Sequence, residues 1–94
     1  MIHGYGRYYF LGGAEYEGDW ISGQKHGIGI LRFGNNDVFE GKFFEDEFHG
    51  KGVYRYSNGD IFSGIWVHGK KHGKGRFESV DGDLKIGNWV NDKF

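Results

Sequence analysis

Four histidines recur at one interval. His3, His26, His49 and His72 each open a His-Gly-x-Gly segment, 23 residues after the last. Imidazole is the side chain best suited to metal ligation and to proton transfer near neutral pH. The spacing argues against both uses. If each copy sits on its own strand pair, neighbouring imidazoles stand roughly 10 Å apart. Zinc takes nitrogen at about 2.0–2.1 Å, so one ion cannot bridge two copies. A general base is not expected in four equivalent sites either. The recurrent His is therefore read as a turn-capping structural residue, and His68, outside the phase, as an exposed loop residue. Gly-x-Gly cradles phosphate only ahead of a helix N-terminus, and here a strand-like segment follows in every copy. The chain has no cysteine, and Ser22, Ser57, Ser63 and Ser79 have no His or Asp neighbour that spacing identifies. The pairs Glu15/Glu17 and Asp81/Asp83 fit solvated strand and turn charges better than an acid/base dyad. The expectation is a non-enzymatic chain with no metal and no cofactor.

The densest positive cluster is Lys70, Lys71, Lys74 and Arg76, flanked by His68 and His72. It is a candidate patch for anionic lipid head groups, with Lys74 and Arg76 expected on one face. Net charge is −1, so bulk charge gives no reason to expect nucleic acid. The halves differ in sign. Residues 1–47 hold 4 Lys/Arg against 8 Asp/Glu, and residues 48–94 hold 8 against 5. The acidic N-terminal half would oppose lengthwise docking on an anionic surface.

The elements that must carry these residues follow from the same period. A second phase gives Tyr16-Glu17-Gly18-Asp19-Trp20, Phe39-Glu40-Gly41-Lys42-Phe43, Phe62-Ser63-Gly64-Ile65-Trp66 and Lys85-Ile86-Gly87-Asn88-Trp89. A third places turn residues at Gly12-Gly13, Asn35-Asn36, Asn58-Gly59 and Asp81-Gly82. Seventeen of the 19 glycines fall on only five phases, so they are positional requirements. Each unit is expected to be a β-hairpin. Residues 15–21 form one strand and 26–33 the other, joined by a four-residue loop, Ser22 to Lys25. That loop would set Trp20 opposite Gly27, Gly18 opposite Gly29 and Tyr16 opposite Leu31. The bare Gly27 would then let the Trp20 ring lie flat on the sheet. Thirteen aromatic side chains fall on this glycine-bearing face by alternation. One hairpin cannot cover its own rings, so stability should be shared between stacked units. Four units at two strands each predict a twisted single-layer ribbon about 40 Å long.

The chain is one domain by length. It divides into a half unit 1–14, units 15–37, 38–60 and 61–83, and a half unit 84–94. Aromatics are 19% of residues against 37% hydrophobic in all, so rings must build the core and disorder is disfavoured. The absence of cysteine, of a signal-peptide core and of a membrane-length apolar run predicts a cytoplasmic location.

The Tyr-x-Gly-x-Trp/Phe segments, the His-Gly-x-Gly segments and the Asn/Asp-Gly turns together resemble the MORN (membrane occupation and recognition nexus) repeat. The resemblance runs in register over essentially the whole chain. It departs at Asn35-Asn36, where Asn stands for the turn glycine, and at Lys85, where Lys stands for the aromatic. The resemblance implies an elongated all-β array, a single-layer antiparallel sheet of tandem hairpins with its aromatic face concave. It also implies a scaffold or adaptor, associated with cytoskeleton, cilium or membrane. On that reading Tyr16, Trp20, Phe39, Phe43, Phe62, Trp66 and Trp89 would form a groove for a partner helix or extended segment. Ile61, Ile65, Val67, Leu84, Ile86 and Val90, on the other face, would form a second interface for a partner or another copy. Phosphoinositide or anionic-membrane binding through the basic cluster is the alternative. The outermost strands, near Arg7 and Lys85, carry no Pro, so they predict edge or end-to-end association, or a piece of a longer array.

Overall fold

The computed structural model describes residues 4–94, and His3 lies outside the described residues. Eight strands follow one another: β1 (Gly4–Tyr9), β2 (Glu15–Ile21), β3 (Gln24–Arg32), β4 (Val38–Phe44), β5 (Glu47–Arg55), β6 (Ile61–Val67), β7 (Lys70–Glu78) and β8 (Leu84–Trp89). They form one open antiparallel sheet in sequence order. No helix occurs among the described residues. The sheet measures 42 × 24 × 17 Å. Its length is that of eight strands at about 4.8 Å spacing.

Two kinds of turn alternate. Ser22-Gly23, Glu45-Asp46, His68-Gly69 and Asn91-Asp92 have positive φ at both positions. Two left-handed residues in a row match the right-handed twist of the strands they join. The other turns close on a left-handed residue at Gly13, Asn36, Gly59 or Gly82. In the second of them, the Asn36 amide donates to the Phe33 carbonyl at 3.0 Å and Phe33 to Asp37 at 2.9 Å. Asn36 takes the glycine's place because a short polar side chain tolerates positive φ.

The hairpin register differs from the sequence expectation at one end. Gly18 does oppose Gly29, and Tyr16 opposes Leu31. Trp20, however, opposes Lys25, because the turn is only two residues long and β3 bulges between Gly29 and Lys25. The same irregularity recurs between β4 and β5 and between β6 and β7. Gly27 instead faces Phe43 of the next unit, as Gly4 faces Trp20, Gly50 faces Trp66 and Gly73 faces Trp89. The His-Gly-x-Gly glycines thus serve the junction between units.

Candidate interaction surfaces

The ring that lies on bare backbone is not the Trp20-phase residue but the one four positions before it. A β-carbon at Gly29 would overlap the Tyr16 hydroxyl, with Tyr16 Cζ at 2.5 Å. One at Gly52 would overlap Phe39, with Cε1 at 2.6 Å, and one at Gly75 would sit 2.5 Å from Phe62 Cζ. Tyr16, Phe39 and Phe62 are each 0% exposed. The Trp-phase rings fit between them edge to face. Successive centroids along Trp20, Tyr16, Phe43, Phe39, Trp66, Phe62 and Trp89 lie 4.8–5.4 Å apart, with planes inclined 77–89°. This geometry places the positive ring edge on the negative face. The seven rings expected to line a partner groove are therefore the seven buried residues of the core. The accessible surface of that face belongs to a second tier, half-buried against them: Phe10, Leu31, Phe33, Phe48, Tyr54, Tyr56 and Phe77.

A lid phase was missed by the sequence reading. Lys25, placed in the loop there, lies on β3 with its ammonium 5.6 Å from the Tyr16 ring and 4.9 Å from Phe10. Phe48 occupies the same phase one unit on and stacks on Phe39 at 3.8 Å and 11°. Lys71 follows, 5.2 Å from the Phe62 ring and donating to the Tyr56 hydroxyl at 2.8 Å. The alternation Lys, Phe, Lys is matched by the next turn. Asp46 accepts from the Lys25 amide at 2.7 Å, and Asp92 from the Lys71 amide at 2.8 Å, while glycine stands at position 69 after Phe48. The signal was present in the sequence as Lys or Phe one residue before His26, His49 and His72.

The histidines hold neighbouring turns. His49 Nδ1 accepts the His68 amide, and His72 Nδ1 accepts the Asn91 amide, each at 3.4 Å. His68 is exposed in its turn, with its ring 3.3 Å from Glu47. On the opposite margin Asp37 accepts the Ser57 amide at 2.8 Å and the Tyr54 hydroxyl at 2.7 Å. The Tyr54 hydroxyl, helped by the Ser57 amide, holds the Asp37 carboxyl below the usual carboxylate range. Burial, with Asp37 adding to it, pushes the Tyr54 phenol up. Burial raises Tyr16 as well, to about 12.

Segments 1–14, 16–38, 39–61 and 62–84 each match the family model of the MORN repeat. The chain belongs to the MORN repeat family. No curated protein gives a significant match. MORN arrays are interaction modules, for protein or membrane, and the opposite face of this one carries both remaining candidate surfaces. The basic cluster divides. Lys70, Lys74 and Arg76 are exposed on that face, whereas Lys71 points the other way into the lid. The three exposed cations make no ion pair among the described residues. The apolar strip divides too. Ile61 and Leu84 stand on either side of Glu78, and Ser63 and Ile86 on either side of Arg76, because charged β7 runs between β6 and β8. Leu84, Ile86 and Val90 are exposed, and Ile61, Ile65 and Val67 are half-buried. A wide-mouthed depression of about 460 Å³ opens on this face, lined by Glu40, Lys51, Gly52, Val53, Ser63, Gly64 and Ile65. No helix of the described chain is long and apolar enough to cross a membrane.

Proposed function

We propose that this MORN array is a non-catalytic scaffold that binds a helical or extended segment of a protein partner along its aromatic face. The supporting observation is the two-tier packing. Seven rings are used up in joining the units, and a second tier of half-buried side chains, six of them rings, is left over them. Large aromatic side chains that are rigid and partly exposed are the usual anchors of protein interfaces. A partner would touch Phe33, Tyr54 and Phe77 rather than the buried seven. The test is affinity capture by three proteins: wild type, a Phe33→Ser/Phe77→Ser double variant, and Trp66→Ala. Wild type should capture a partner that the folded double variant loses, and Trp66→Ala should lose fold and capture together. Equal capture by wild type and the double variant refutes the assignment.

A second reading rests on the unpaired cations of the other face. Lys42 and Lys51 join Lys70, Lys74 and Arg76 there, all without an ion pair among the described residues. Such a surface supports association with phosphoinositide-bearing membranes at about 1 kcal/mol per cation. Liposome sedimentation should be salt-sensitive and lost on neutralising these residues. Neutralising Lys71 alone should leave it intact. Absence of sedimentation at low salt ends this reading.

A further inference from the structure

The second-tier rings stand beside acidic turns. Phe10, Phe33 and Tyr56 recur at one phase of the repeat, and Tyr8, Tyr54 and Phe77 at another. From Phe33 to Phe77 they form a connected strip, with Phe33–Tyr54, Tyr54–Tyr56 and Tyr56–Phe77 centroids 5.7, 4.6 and 6.3 Å apart. Asp37, Asp60 and Asp83 follow one another along the margin of that strip, one per unit. Alternation puts them on the aromatic face, and the Tyr54 hydroxyl donates to Asp37 at 2.7 Å. None of the three makes an ion pair among the described residues. At the opposite margin charge balances: Lys25 pairs with Asp46 at 3.6 Å, and Asp92 accepts from the Lys71 amide at 2.8 Å.

We infer that the segment held by the aromatic face is proline-rich, in the polyproline II conformation, with Lys or Arg on the edge that faces Asp37, Asp60 and Asp83. This rests on the partner site proposed above and names its ligand class. The repeat distance selects the conformation. Two strands at about 4.8 Å advance the strip by about 9.6 Å per unit. One three-residue turn of polyproline II advances about 9.3 Å, so equivalent side chains meet equivalent rings in successive units. Two turns of α-helix advance about 10.8 Å and fall out of step by about 1 Å per unit. Three residues of β-strand match the length, but alternation turns the next equivalent side chain to the opposite face. Polyproline II also has no internal hydrogen bonds and leaves its carbonyls open. The strip has donors for them. The Tyr56 hydroxyl accepts from the Lys71 ammonium at 2.8 Å, which leaves the phenol proton and the other ammonium protons to a ligand. Proline rings dock on aromatic-lined surfaces, and a cation on the third edge of the ligand answers the acidic margin.

The probes are labelled peptides titrated with the protein: about four triplets of Pro-Pro-Lys, the same length of Pro-Pro-Glu, and a Leu/Lys amphipathic helix of equal positive charge. Fluorescence anisotropy reads their binding. The Pro-Pro-Lys peptide should bind about ten-fold tighter than either of the others, and added salt should weaken it. Circular dichroism of each variant first establishes that it folds like wild type. Asp60→Asn/Asp83→Asn should narrow the preference over Pro-Pro-Glu, since the amide oxygen still accepts hydrogen bonds but carries no charge. Phe33→Ser/Phe77→Ser should weaken Pro-Pro-Lys binding by about ten-fold or more. Tighter binding of the helical peptide, lost in the Phe33→Ser/Phe77→Ser protein, overturns the polyproline inference and leaves the aromatic-face site standing. Equal binding of Pro-Pro-Glu and Pro-Pro-Lys, or no binding of Pro-Pro-Lys, also overturns the inference. Pro-Pro-Lys binding that survives the loss of both rings overturns the inference and the aromatic-face site together.

Discussion

Gly6 and Gly52 occupy the same phase of the repeat and pair with equivalent glycines, Gly18 and Gly64. Their replacement by alanine should nonetheless have opposite consequences. At Gly52 the new methyl would stand 2.6 Å from Phe39 Cε1. Carbon atoms prefer about 3.5–4.0 Å, so the ring must retreat by about 1 Å. It has nowhere to go, since Phe48 stacks on its far face at 3.8 Å and Trp66 meets its edge at 5.4 Å. Overpacking of this kind costs about 1–3 kcal/mol. The loss of glycine's freedom in the unfolded chain returns only about 0.4–1 kcal/mol. Gly52→Ala should be destabilising by about 1–2 kcal/mol on balance, which lowers Tm by about 4–15 °C in a chain of this size. At Gly6 the added carbon makes ordinary contact with Trp20, at 3.7 Å, and φ is not positive. Gly6→Ala should keep the entropic gain and raise Tm by a few degrees. Thermal unfolding followed by circular dichroism measures both. Shrinking the ring with Phe39→Leu should then cost less in the Gly52→Ala background than in wild type. Equal Tm shifts for Gly6→Ala and Gly52→Ala would refute the assignment of the Phe39 ring to Gly52.

Phe62→Ala should cost about 3–5 kcal/mol, because a fully buried ring is removed. Hydrogen exchange should show protection lost in its own hairpin and in the half unit that follows, since Phe62 packs on Trp66 of the one and Trp89 of the other. His49→Ala should cost about 1 kcal/mol by leaving the His68 amide without its acceptor, measured by urea unfolding. Asp37 has a folded pKa lowered by Tyr54 and Ser57, so its contribution is complete above the unfolded value of about 3.9 and is lost as pH falls through the folded value. Asp37→Asn should flatten that acid limb of the stability profile. Tyr16 is raised to about 12, so stability should decline as pH climbs from about 10 toward that value, and Tyr16→Phe should reduce this alkaline loss and leave the part that Tyr54, also raised, contributes.

Much of the fold was legible because its determinants are local and repeated. Alternation of rings and glycines fixed the strand faces, positive-φ residues fixed the turns between units, and the 23-residue interval fixed the count of hairpins. The same seven rings could be named from sequence as belonging to one face, but not as core or groove. Whether a ring is buried depends on neighbours in other units. Tyr16 reaches zero exposure only once Phe43 meets its edge and Lys25 lies over it.

The sequence by itself determined that Gly18 faces Gly29 and Tyr16 faces Leu31, since a four-residue loop and a two-residue turn with a bulge give identical pairs there. It could not choose between the two, because they differ only near the turn, at Trp20 and Lys25. Only the assembled sheet decided it. Gly27, with φ of 70°, faces Phe43 of the following strand, and Asp19 packs over it from the other side of the sheet. The same choice carried Lys25 and Lys71 onto the aromatic face and split the basic cluster. Strand alternation is a property of a single segment, whereas the packing around a bulge belongs to the three strands that meet there.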